Sequence, residues 1–113
     1  MVECRWELFQ RDADVGIRGV GPTLAEAPYN VPGVLADPMI QVYDSNNNMV
    51  AENNDWDPSL STTFSSVGAF ALQSGSKDAA MIVTLQAGTA YTVQCKGADG
   101  GTGQALIEVY ELP

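Results

Sequence analysis

The run Met39-Ile40-Gln41-Val42-Tyr43, followed by Asp44-Ser45-Asn46-Asn47-Asn48 and Met49-Val50-Ala51, leaves little freedom of fold. The first five residues are dense in β-formers. Asp44 to Asn48 is a turn, because Asn and Asp tolerate positive φ and bond their own backbone. Met49-Val50-Ala51 then resumes the sheet. A strand, a tight polar turn and a second strand are the pattern of an antiparallel β-domain.

The rest of the chain continues that pattern. Residues 2–10 alternate, with Cys4, Trp6 and Leu8 on one face and Glu3, Arg5, Glu7 and Phe9 on the other, which predicts a half-buried strand. Val15-Gly16-Ile17-Arg18-Gly19-Val20 reads as a second strand, whose glycines allow a bulge or a close approach. Thr23 to Ala27 predicts a short helical turn, with Thr23 as its cap and Glu26 three residues on. Asp57-Pro58 predicts another helical start, Leu60, Phe64 and Val67 fall at helical spacing, and Gly68 fits the stop. Ala79–Leu85, Ala90–Lys96 and Gln104–Leu112 read as strands, and Gly97–Gly103 reads as a hairpin loop. Short strands with frequent turns and no long helical period predict an all-β, antiparallel β-sandwich, Greek-key or jelly-roll-like, with one or two short helical turns. The chain has the length of one domain, 1–113.

Charge and composition narrow the function. The net charge is −9, so a phosphate backbone is repelled and nucleic acid is not an expected partner. No apolar run reaches the roughly 18 residues of a membrane helix, so no membrane partner is expected. Histidine is absent, which removes the commonest general base and the usual partner of a nucleophilic Ser or Cys. No enzyme activity is expected. Cys95 is in phase with Tyr91 and Val93 and is expected in the core. A Cys4–Cys95 disulfide requires the first strand to pair near the penultimate one.

The densest set of oxygen ligands is Asp44, Asn46, Asn48, Glu52, Asp55 and Asp57. Calcium takes six to eight oxygens in flexible geometry, so these six residues are the expected metal site if the chain binds calcium. The same residues serve a hairpin as turn formers. Trp56 and Tyr43 are candidates for a sugar-binding platform, or Trp56 plugs one end of the sandwich. Ser59, Ser61, Ser65 and Ser66 have no histidine partner, and Lys77 beside Asp78 reads as a turn ion pair.

From Gly16 to Pro113 the chain resembles a β-sandwich module found near the C-termini of large secreted bacterial proteins. The likeness is carried by Ile17-Arg18-Gly19-Val20-Gly21-Pro22-Thr23-Leu24, Val42-Tyr43-Asp44-Ser45-Asn46, Asn54-Asp55-Trp56, Gly75-Ser76-Lys77-Asp78-Ala79-Ala80 and Leu106-Ile107-Glu108-Val109-Tyr110. The strand–Asp-turn–strand core is also similar to pre-peptidase C-terminal domains. These likenesses imply an extracellular, non-catalytic accessory role, with calcium binding in some members. Arg5-Trp6-Glu7-Leu8-Phe9, Asp12 to Ile17 and Thr23 to Ala27 resemble the N-terminus of archease, an assistant of RNA ligation. Asp14 matches an acidic metal-site position of that pattern, whose remaining ligands and usual histidine are missing here. The two likenesses meet at Gly19-Val20-Gly21-Pro22-Thr23-Leu24-Ala25, which implies a junction: residues 1–15 as a borrowed strand on a shortened sandwich. A shortened sheet keeps an open edge, or the borrowed strand fills it. The expectation is a homo-oligomer formed through that edge or by exchange of the N-terminal strand. The opening residues lack the layout of a signal peptide, so for the chain as it stands the expected location is cytoplasmic or unassigned, against the extracellular one that the sandwich likeness implies.

Overall fold

The computed structural model describes residues 2–7 and 12–112. Seven strands form two antiparallel sheets: β1 (Val2–Glu7), β2 (Ala13–Val20), β3 (Pro38–Tyr43), β4 (Met49–Asn54), β5 (Ala79–Leu85), β6 (Ala90–Gly97) and β7 (Leu106–Glu111). One sheet runs β1-β6-β3-β4 and the other β5-β2-β7. The fold is the all-β sandwich that the sequence predicts. The continuation of the first strand through Leu8, Phe9 and Gln10 lies outside the described residues.

Among the described strands only the β3–β4 hairpin joins neighbours in one sheet; the other successive strands lie in different sheets. Gly97–Gly103 is therefore not the expected hairpin loop, because it carries the chain from β6 in one sheet to β7 in the other. Turn-forming residues signal a reversal, but they do not say to which sheet the chain returns. The crossing is pinned by Leu35, whose N–H donates to the Gln104 carbonyl at 2.8 Å.

β2 is the centre of its sheet and is buried on both faces from Val15 onward. Its odd positions face the other sheet. Val15 and Ile17 pack there with Ile40 and Val42 of β3, Tyr91, Val93 and Cys95 of β6, and Leu85 of β5. Each such aliphatic side chain contributes about 1.5–3 kcal/mol by leaving water. Gly19 shares that face, and a Cβ there would sit 2.5 Å from Ile40 Cγ2 and 3.0 Å from Cys95 Sγ. Its even positions face a second apolar cluster on the far side of the sheet. Val20 and Ala80 meet Phe64 and Leu72 there, with Trp56, Leu60 and Phe70 packed around them. A Cβ on Gly16 would come within 2.8 Å of Phe64 Cε1, so the glycine makes room for that ring.

The cover over this outer face is the β4–β5 connection. Asp57 accepts the Ser59 N–H at 2.9 Å and caps a 3₁₀ turn at Pro58–Leu60, with proline at its first position as predicted. Helix α2 (Ser61–Ser66) follows. It ends on Gly68 at φ +79°, with Ala69 N–H bonded to the Phe64 carbonyl and Gly68 N–H to that of Ser65. This is the paired closure that a left-handed glycine allows. The helical turn after β2, α1 (Pro22–Ala25), departs from expectation: Gly21, not Thr23, stands at its N-cap position.

β1 pairs with β6 from Val2–Cys95 to Glu7–Ala90 and forms the edge of the larger sheet. Cys95 is fully buried, as its phase predicts. The strand pairing that a Cys4–Cys95 bridge requires is present, yet both thiols are free. Cys4 lies opposite Val93 and Cys95 opposite Val2, so the two are diagonal neighbours. Diagonal pairs are roughly 7 Å apart, whereas a disulfide needs Cβ atoms about 3.8 Å apart.

Candidate functional site

The six acidic and amide residues singled out as a calcium site do not converge. Asp44, Asn46 and Asn48 lie in the β3–β4 turn, before Met49. Asp55 and Asp57 lie beyond Asn54, at the other end of β4. At about 3.3 Å per residue, the extended strand holds the two groups roughly 20 Å apart. Asp44 Oδ1 accepts the Asn46 and Asn48 N–H groups at 2.9 and 3.0 Å, an Asx turn that explains the composition. Glu52 accepts from Gln41 Nε2 at 3.1 Å, and Asp57 is held below the usual carboxylate range by the Ser59 backbone N–H. Among the described residues no three His, Cys, Asp or Glu side chains are grouped to hold a metal. Tyr43 and Trp56 are likewise separated by the length of the hairpin, so they form no shared platform. Trp56 instead packs into the outer cluster. Asp14 accepts the Thr84 hydroxyl across the β2–β5 pair at 2.6 Å.

Two buried polar centres stand out, and the sequence reading placed neither. The first is Asp78, fully buried just before β5. Its carboxylate accepts the Gly21 N–H at 2.8 Å, the Thr23 N–H at 3.3 Å, and the Thr23 and Ser76 hydroxyls at 2.5 Å each. Asp78 thus caps α1 from across the fold and is no turn partner for Lys77, which is exposed. Its carbonyl accepts the Trp56 N–H at 2.9 Å. Three of the quoted motifs therefore meet at one residue, two at its carboxylate and the third at its backbone carbonyl.

The second centre is Arg18, 1% exposed on the outer face of β2. Its Nε donates to Glu108 Oε1 at 2.8 Å, directly across the β2–β7 pair. Its Nη1 donates to the Phe70 carbonyl at 2.8 Å. Its guanidinium carbon lies 4.6 Å from the Phe70 ring centre and 5.3 Å from that of Phe64. The desolvated ion pair and two aromatic faces hold the cation in place. Tyr110 donates to the other Glu108 oxygen at 2.7 Å; burial, then this bond and the adjacent negative charge, push its hydroxyl pKa up.

Beside Arg18 is a cavity of about 130 Å³, lined by Trp56, Phe64, Ala69, Phe70 and Leu72. The signal for this site in the sequence is Gly16-Ile17-Arg18-Gly19. An arginine at an even position of a strand, with glycines on both faces, marks a strand that something covers closely on each side.

Ser66 donates to the Thr63 carbonyl within α2 at 2.6 Å, a local bond common to helix serines. No protein-family model, curated protein or solved structure matches this chain.

Proposed function

We propose that this chain is a non-catalytic interaction module that pairs with a second copy of itself, edge to edge. One observation carries the reading. Of the edge strands β1, β4, β5 and β7, only β5, Ala79-Ala80-Met81-Ile82-Val83-Thr84-Leu85, has neither a charged residue nor a proline. Natural sheet edges are ordinarily blunted by such residues, and an unblunted edge is a template for another strand. β1 carries Glu3 and Arg5, β4 carries Glu52, and β7 carries Glu108 and Glu111.

The N-terminal end of β5 is occupied: the Ala80 N–H donates to Asn53 Oδ1 at 3.0 Å. That bond points away from β2, so alternation along an antiparallel edge turns the backbone groups of Ile82 and Thr84 outward as well. Ile82 is 38% exposed beside them. A second β5 can add there by main-chain hydrogen bonds. The secreted-type likeness and the absence of histidine support a role without catalysis. Calcium has no part in this reading, because its expected ligands sit at opposite ends of β4.

Light scattering on a sizing column tests the proposal, with Ile82→Lys as the variant. The expected result is a concentration-dependent dimer for the native chain and a folded monomer for the variant. A native chain that stays monomeric at high micromolar concentration overturns it.

A further inference from the structure

We infer that the cavity beside Arg18 is a binding site for a small apolar carboxylic acid. Two buried donors there have no hydrogen-bond partner among the described residues: Arg18 Nη2 and Trp56 Nε1. Both side chains line the same cavity. A buried N–H left without an acceptor is costly, and native proteins rarely keep one. Two on one cavity point to an occupant that brings acceptors.

The donors set the chemistry of the occupant's head. Nη2 carries two N–H bonds and the indole one, and Ser61 and Ser65, which also line the cavity, have hydroxyls that can donate as well as accept, so the unmet need there is for acceptors. Arg18 already spends Nε on Glu108 and Nη1 on Phe70, which leaves Nη2 as the nitrogen with no partner among the described residues. A carboxylate accepts from a guanidinium more strongly than a neutral carbonyl does, because the bond is charge-assisted. One carboxylate oxygen can take Nη2 while the other takes the indole N–H.

The walls set the body. Apart from Ser61 and Ser65, the wall is ring and aliphatic surface from Trp56, Phe64, Phe70 and Leu72, which suits an apolar body better than phosphate or sugar. A volume of about 130 Å³ is close to that of an apolar cavity known to admit benzene. The occupant is therefore an aromatic or branched short-chain acid, of about the size of benzoate.

Benzoate is the probe, with acetate as the head alone and benzene as the body alone. Titration is followed in a nitrogen-15 correlation spectrum by the indole N–H resonance of Trp56 and by the backbone amide of Leu72 on the cavity wall, which remains the readout in Trp56→Phe. Trp56→Phe identifies the indole signal, keeps an aromatic ring and removes the donor. Arg18 is left intact, since losing it strands Glu108 and threatens the fold. Benzoate is expected to shift both resonances and to bind more tightly than acetate or benzene. Trp56→Phe is expected to weaken it about tenfold, the loss of one charge-assisted hydrogen bond. Ala69→Leu, which fills the cavity from its wall, is expected to abolish binding while the chain stays folded. Resonances that ignore benzoate overturn the inference, and would mean that the donors are satisfied by trapped water. So would binding no tighter than benzene's, or binding unchanged by Trp56→Phe.

Discussion

The Thr23 hydroxyl donates to Asp78 Oδ2 at 2.5 Å across 55 residues of chain, and accepts the Gln73 N–H at 2.9 Å. One side chain thus ties the exit of β2 both to the start of β5 and to the end of the cover. Thr23→Val keeps the shape but removes the donor and the acceptor together. It is expected to lower unfolding stability by about 1–3 kcal/mol in urea titration. Asp78→Ala strands four donors at once and is expected to cost roughly 3 kcal/mol or more. Equal stability of the native chain and the Asp78 variant would mean that this carboxylate does not bridge the two turns.

Glycine positions on β2 and just after it make a graded series. Gly19→Ala pushes a methyl into Ile40 and Cys95, side chains that can shift by a few tenths of an ångström. Overpacking of that kind costs about 1–3 kcal/mol. Gly21→Ala would place its Cβ 2.1 Å from the Leu35 carbonyl oxygen, and a backbone atom cannot move aside as a methyl can. The expected order of denaturation midpoints is native, then Gly19→Ala, then Gly21→Ala. A reversed order would break the packing argument for the β2–β3 crossing.

Alkaline pH is expected to weaken the fold in a defined window. Burial pushes the Cys95 thiol from 9.0 up to about 11. The folded state therefore favours the neutral thiol. This contribution is fully present below pH 9 and is lost as pH rises through about 11. A separation of about two units corresponds to at most about 3 kcal/mol. Tyr110, raised from 10.0 by burial and its bond to Glu108, adds a loss of the same sign. Melting temperature followed from neutral pH upward should fall through this window. Cys95→Ala should start less stable, from the cavity it leaves, but fall less steeply.

Calcium in excess is expected to leave the melting temperature unchanged. Asp44 Oδ1 is already committed to two backbone N–H groups, Glu52 accepts from Gln41, and Asp55 and Asp57 lie a strand's length away. Asp44→Ala is expected to cost about 1 kcal/mol through the turn, with or without the cation. A rise of about 4–8 °C with calcium, absent with chelator, would instead mean a real metal site.

Strands were legible because their signals are local. The β3–β4 hairpin follows from five β-formers, five turn residues and the strand that resumes after them. The Asp57–Pro58 start and the Gly68 stop are set by neighbours within a few positions. What escaped was long-range. Asp78 reads as a turn residue beside Lys77, and nothing adjacent to it names Gly21 or Thr23 as partners. Arg18 reads only as one position of a glycine-thinned strand, because the cover that buries it comes from a segment far along the chain. The acidic run from Asp44 to Asp57 misled for the converse reason. Closeness in sequence along an extended strand is distance in space.

The segment between β4 and β5 leaves the sandwich and returns to where it left. Asn53 holds the Ala80 N–H, and the Trp56 N–H is bonded to the Asp78 carbonyl. An excursion whose two feet stand together can lift away without separating the sheets, since the Val15–Ile17–Ile40–Val93 core lies on the opposite face of β2. The molecule is thus expected to behave as two cooperative units of unequal stability. The sheets would retain their slowest-exchanging amides while the stretch from Pro58 to Leu72 opens and recloses many times. Such breathing would widen the mouth of the space beside Arg18, and it would let this stretch change length or sequence over evolutionary time while the sandwich stays the same.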